Sequence, residues 1–165
     1  MSGSLPNNNS SRAVRMQAAL VAADAFTARA LEALRARVVV GGKPDAALVD
    51  REQRMVHGYA WIETTVAALR ALAGWADELS KRGMLGSADT LLIDIAFGEY
   101  LSQLVGGIPM GQNEICRPAD FGIGEAAARL ASAPAVRWFL ESGNTAANRA
   151  ALIEQLRGGT GIAES

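Results

Sequence analysis

The chain has 165 residues, half of them apolar and a fifth charged, with a formal net charge of −1. That length supports one domain with a real core and is short for two large ones. Acidic and basic residues are interspersed, so the sequence offers neither the concentrated basic face that nucleic acid requires nor a polybasic membrane patch.

Cys116 is the single cysteine, which excludes an intrachain disulfide and leaves a cysteine-based zinc site without ligands. This usage fits a cytoplasmic protein. No apolar run reaches the roughly 18–20 residues of a membrane span, because Asp94 and Glu99 interrupt the longest candidate. The opening MSGSLPNNNSS lacks the charged and apolar regions of a secretory signal. Residues 1–10 are therefore expected as a disordered polar head, 11–158 as a single helical domain, and 159–165 as a flexible tail.

From Ser11 to about Val40, apolar positions including Leu20, Leu31, Leu34 and Val38, with Thr27, recur at helical spacing and form one stripe. Gly41, Gly42 and Pro44 end that helix. The run VVVGGKP lacks the spaced glycines and Lys-Ser/Thr ending of a phosphate loop, so it reads as a helix stop.

A second helix is expected from about Ala46 to Lys81, on the order of 50 Å long. One stripe (Leu48, Met55, Tyr59, Ile62, Val66, Leu69 and Ala73) follows nearly heptad spacing. A second lies on another face, through His57, Trp61, Ala68, Leu72, Trp75 and Leu79. A bundle helix needs only one apolar stripe, so the second calls for cover from another helix, a second subunit or another domain.

Gly83 and Gly86 break the chain before a third helix, about Ser87 to Val105, whose apolar residues point in every direction. Such a helix belongs at the centre of a bundle. Gly98 inside it is tolerated most easily where another helix crosses closely. After a Gly/Pro-punctuated loop come short helices at Gly124 to Ala131 and Pro134 to Glu141. A last helix, capped by Asn144, runs through Leu156. No period-two strand is evident. The expected class is all-α, an up-down bundle of three long helices with shorter C-terminal helices.

Candidate chemistry concentrates in IAFGEYLSQLVGGIPMGQNEICRPADFG, residues 95–122. Glu99 reads either as a tuned acid or base or, preferably, as a carboxylate paired with an arginine or a backbone amide, Arg117 being the obvious partner. Gln112, Asn113, Glu114, Arg117 and Asp120 read either as a ligand-binding rim or, preferably, as side chains satisfying the loop's own backbone. His57, the only histidine, has no second metal-ligand neighbour and is expected on an interface stripe with Trp61, Leu72, Trp75 and Leu79. Cys116 has no catalytic motif around it. No metal site and no catalytic residue is assigned.

HGYAW at 57–61, the 95–122 segment with its GEYL…GGIP motif, and SGNTAANRAALIEQL at 142–156 together resemble one region of a known enzyme family. They are similar to the helical extension preceding the dehydrogenase core of (2S)-methylsuccinyl-CoA dehydrogenases, in the acyl-CoA dehydrogenase superfamily. The resemblance covers about residues 15–157. It implies an FAD enzyme that oxidises methylsuccinyl-CoA to mesaconyl-CoA in the ethylmalonyl-CoA pathway. Its catalytic glutamate, flavin site and CoA channel lie in a core that these residues do not include. Glu99 is not that glutamate, and no cofactor is expected on this chain.

Three roles follow as expectations. The first is a non-catalytic accessory subunit or domain, partnered with an acyl-CoA dehydrogenase core or a second subunit, homo-oligomers included. The second is an inert fragment of a split dehydrogenase. The third is a small bundle binding an acyl-CoA or other ligand, ranked last because no phosphate-cradling set of basic residues is visible near the loop.

Overall fold

Met16, Leu20, Ala23, Phe26, Thr27, Ala30, Leu34 and Val38 are buried along one face of a single long helix. The computed structural model describes residues 8–159 and places this helix, α1, at Asn8–Val38. The expected polar head thus begins in helix at its last three residues, and residues 1–7 and 160–165 lie outside the described part. Of the anticipated stripe, Leu31 is only half-buried.

The expected stop after α1 carries more structure than foreseen. Val39–Val40 (β1) pairs antiparallel with Lys43–Pro44 (β2), across Gly41 and Gly42 at φ 57° and 80°. Positive φ at two successive positions is the requirement of a two-residue hairpin turn, which glycine meets without steric cost. The Asp45 amide then donates to the Val38 carbonyl at 2.8 Å, turning the chain back along α1.

The second long helix is divided. Helix α2 spans Ala46–Arg51, with Asp45 capping it by accepting from the Leu48 amide at 3.0 Å; α3 spans Gln53–Lys81. At Glu52 the backbone leaves helical geometry (φ −97°, ψ 19°), yet its amide still donates to Leu48 and its carbonyl accepts from Met55 and Val56. The break is one residue deep, so the expected helix over 46–81 is corrected only there. Met55, Ile62, Val66 and Leu69 of the heptad stripe are buried, with Leu48, Tyr59 and Ala73 packed half-buried against the core.

Helix α4, Ser87–Gly106, is the central helix anticipated from its apolar surround. Ile93, Phe97 and Leu101 are fully buried and Leu104 nearly so. Helices α5 (Gly124–Ser132), α6 (Pro134–Ser142) and α7 (Ala146–Arg157) complete the fold, with α6 and α7 against α4. Ion pairs report the directions. Asp24–Arg70 and Arg37–Glu52 run α1 and α3 antiparallel, and Arg12–Asp94 brings the starts of α1 and α4 together. The all-α bundle with short C-terminal helices is thereby present, and no described helix is long and apolar enough to cross a membrane.

The buried polar side chains serve the fold. Thr27 and Thr65 donate back to the carbonyls of Ala23 and Trp61, and Asp89 caps α4 by accepting from the Gly86 amide at 2.8 Å. Asp94 accepts from Arg12 through both carboxylate oxygens at 3.1 Å each.

Gly98 marks a close crossing, as expected. A β-carbon there would lie 2.6 Å from the Asn144 amide nitrogen and 2.9 Å from the Phe139 carbonyl oxygen; one at Gly143 would meet the Asp94 and Phe139 carbonyls. Gly74 of α3, by contrast, faces open space. Gly98→Ala is therefore expected to destabilise by about 2 kcal/mol or more, because rigid backbone must move. Gly74→Ala should stabilise by roughly 0.5–1 kcal/mol through helix propensity. Urea melts of both variants check the opposite signs.

Candidate functional site

The loop between α4 and α5 is built by alternation about a small hairpin. Ile108–Pro109 (β3) pairs antiparallel with Ile115–Cys116 (β4), and the Met110 amide donates to the Glu114 carbonyl at 2.9 Å to close the tip. Ile108, Cys116, Pro118, Phe121 and Ile123 turn inward and are buried. Gln112, Asn113, Glu114 and Arg117 turn outward and are exposed. Gly107, at φ 137°, begins the hairpin where a β-carbon would strike Ile115 Cγ2 at 2.6 Å. A 3-10 turn, Pro118–Phe121, follows, started by the Arg117 amide donating to the Asp120 carboxylate at 2.8 Å.

Cys116 sits directly on Gly58 of α3, where a β-carbon would lie 2.6 Å from its Sγ. Only glycine lets the loop seat so close. Burial, reinforced by the negative charge of Asp120 and opposed by Arg54, pushes the thiol up to about 11. Tyr59, one residue further along α3, is raised to about 12 by burial and by its hydrogen bond to the Glu63 carboxylate.

The expected polar cluster divides in two. Glu114 and Asp120 converge on Arg54, a residue the sequence reading did not single out. Its Nη2 donates to the Ile115 carbonyl at 3.1 Å and lies 3.7 Å from Asp120, and its Nε lies 3.9 Å from Glu114. Glu99 belongs elsewhere. It is exposed, accepting from Gln103 at 2.9 Å and from Asn144 Nδ2 at 2.6 Å. The anticipated Glu99–Arg117 pairing is therefore replaced, because Glu99 projects toward α7 and Arg117 rides on the outer side of the hairpin. Asn144 in turn accepts from Arg149, and the cap of α7 is Thr145, which accepts from the Asn148 amide at 3.1 Å. The expected cap is off by one residue.

The second stripe of α3 also resolves into two parts. Leu79 is buried, and Leu72 and Trp75 pack half-buried against the chain's own core. His57 and Trp61 remain exposed, the indole donating to His57 Nε2 at 3.0 Å.

A cavity of about 230 Å³ opens beside the loop, between the end of α1 and the α2–α3 junction. Arg37, Arg51 and Arg54 stand around it with Glu52 and Asp120, over Met55, Met110, Cys116 and Phe121. No phosphate-cradling set of basic residues was visible near the loop in the sequence, and the fold brings three arginines to it. Arg51 and Arg54 flanking Glu52 were the readable signal; Arg37 arrives only through the hairpin that folds α2 back on α1. Among the described residues no group of three His, Cys, Asp or Glu side chains is placed to hold a metal ion.

Fold and loop together define an all-α module with one clamped, charged edge. No family model matches the sequence. In an alignment that covers 88% of its length, the chain is 39% identical to (2S)-methylsuccinyl-CoA dehydrogenase of Cereibacter sphaeroides. It spans 26% of that enzyme's length. The expected resemblance is therefore present, and it is a likeness to a portion of that enzyme.

Two measurements test the loop. Arg54→Ala removes the clamp and should cost about 1 kcal/mol, since its ion pairs are exposed and its backbone hydrogen bond is single. Amide exchange should accelerate over 108–116 and leave α4 unaffected. The raised Cys116 and Tyr59 values mean that the folded state holds protons the unfolded chain releases. Stability should be complete below about pH 9 and fall as pH climbs through 11 toward 12. The cysteine contributes about 3 kcal/mol at most. Urea midpoints against pH should show a shallower decline between 9 and 11 in Cys116→Ala.

Proposed function

We infer that this chain is a helical accessory module of an FAD-dependent acyl-CoA dehydrogenase of the methylsuccinyl-CoA type. In this reading it supplies no catalytic residue and docks on a dehydrogenase core in the cytoplasm. The single observation carrying the proposal is the 39% identity that runs through 88% of this chain while spanning 26% of the relative. A module matched almost throughout, against a small part of a longer enzyme, is best read as a part with a place on the rest. The flavin and the acyl-CoA thioester belong to the core in this reading.

The residues support it in a second way. Trp61, 37% exposed, is a large aromatic on an α3 surface that the described helices leave partly open. Such rings are enriched among the anchors of interfaces. Trp75 and Leu79, first considered with it, are taken up by the chain's own packing and are poor docking probes.

The test is coexpression with the portion of the Cereibacter sphaeroides enzyme outside the match. Comigration of the chain with flavin absorbance in size-exclusion chromatography is expected. Trp61→Glu should weaken that association by about tenfold or more while shifting fold stability by only about 0.5 kcal/mol. Separate elution of the two polypeptides at micromolar concentration would remove the proposal.

A further inference from the structure

The three arginines beside the loop come from three different elements, and their contacts with carboxylates are long. Arg37 Nη1 approaches Glu52 Oε2 at 3.4 Å, and Arg51 Nε approaches Glu52 Oε1 at 3.3 Å. Arg54 stands 3.7 and 3.9 Å from its two acids. Well-formed charge-assisted hydrogen bonds to carboxylates are shorter, about 2.7–2.9 Å. One carboxylate, Glu52, therefore serves two guanidiniums through one long contact each. Each guanidinium carries five N–H donors in a planar fork suited to bidentate recognition of an oxyanion.

Beneath these heads the floor is apolar and buried, with Met55 7% and Phe121 4% exposed, and Met110 beside them. At about 230 Å³ the cavity is smaller than the roughly 300–1,000 Å³ of pockets that enclose a drug-sized molecule. It accommodates an oxyanion with a short stem, or the end of something longer.

We propose that this cavity binds a compact oxyanion, a phosphate ester or a carboxylate, carried on a short apolar or aromatic stem. The oxyanion is held by Arg37 and Arg51 in competition with Glu52, and the stem rests on Met55, Met110 and Phe121. Arg54 remains the loop clamp and closes one side of the site. The lining carries three positive and two negative side chains, a net charge of +1 that favours an added anion. This inference concerns a ligand of the chain itself and does not depend on docking to a dehydrogenase.

Isothermal titration of the isolated chain with phenyl phosphate, benzoate and inorganic phosphate tests it, at fixed ionic strength. Phenyl phosphate or benzoate is expected to bind saturably and more tightly than inorganic phosphate; which of the two is tighter identifies the oxyanion. Arg37→Ala and Arg51→Ala should each weaken binding by about tenfold, the loss of one charge-assisted contact. Both positions are exposed, and unchanged circular dichroism and melting confirm that the variants fold. Glu52→Gln removes the competing carboxylate and should tighten binding. The proposal is overturned by absence of saturable binding to any of the three compounds, by equal binding in wild type and both arginine variants, or by weaker binding in Glu52→Gln.

Discussion

Everything in this fold is arranged around a helix that is covered on most of its sides. Helix α4 carries large side chains at Ile93, Phe97, Leu101 and Leu104 in the core, each worth roughly 1.5–3 kcal/mol when fully withdrawn from water. Hydrophobic burial alone is not directional, so it does not set how the neighbours cross. The crossing is fixed by Gly98 and Gly143, where backbone meets backbone between α4 and the α6–α7 junction. Phe97 then meets Phe139 at a centroid distance of 4.8 Å, and Trp138 packs edge-on against Phe139 at 5.1 Å. Asp94 adds an electrostatic constraint on the same helix. A buried carboxylate stripped of its partner costs about 3–5 kcal/mol, so the two-pronged bond from Arg12 holds the start of α1 in register with α4. Arg15, one turn on, lies 3.8 Å over the Trp138 ring and ties α1 to α6 as well.

The parts of this arrangement that were legible in the sequence are the periodic ones. Apolar spacing located the three long helices, and glycines at 41, 42, 83 and 86 marked their ends. The all-round apolar character of α4 gave its central position, and Gly98 gave the close crossing. What escaped was aperiodic. The break at Glu52 is one residue's departure in φ and ψ, with neither proline nor glycine to announce it. The two-residue strands at 39–44 and 108–116 are too short for alternation to register. The shift of the α7 cap from Asn144 to Thr145 is a choice between adjacent residues that both cap well. It is settled by Asn144 being engaged with Glu99 and Arg149.

The candidate site shows a deeper limit of one-dimensional reading. Spacing along a helix tells which residues share a face, but the arginine cluster is formed by three helix ends brought together in space. Arg37 and Arg51 are fourteen positions apart, and their shared contact with Glu52 depends on the hairpin at 39–44. The loop was legible in its chemistry yet not in its partition. Its apolar residues alternate inward and seat on Gly58, which uses the hairpin as a plug against α3. That seating turns Glu114 and Asp120 toward Arg54 and leaves Glu99 on the far side. The segment first notable for its acids thus supplies a floor and a clamp, and the donors come from α1, α2 and α3.

Helix α7 is held by a different balance. A twelve-residue helix is marginal in isolation, and among the described residues of α7 none is buried. Polar contacts substitute for burial. Asn148 donates to the Ser142 and Gly143 carbonyls at 2.7 and 2.8 Å, and Ser87 bonds Gln155 at 2.8 Å. Those bonds fix its start and its end against α6 and α4, while Ile153 and Leu156 stay 49% and 44% exposed. Because its anchors are directional, α7 keeps its place with no fully buried side chain. Trp61 presents the same economy on α3, where the heptad stripe secures the helix and the indole is left over. A module packed in this way is stable through one set of residues and available for contact through another. That separation lets exposed side chains change without disturbing the core around α4.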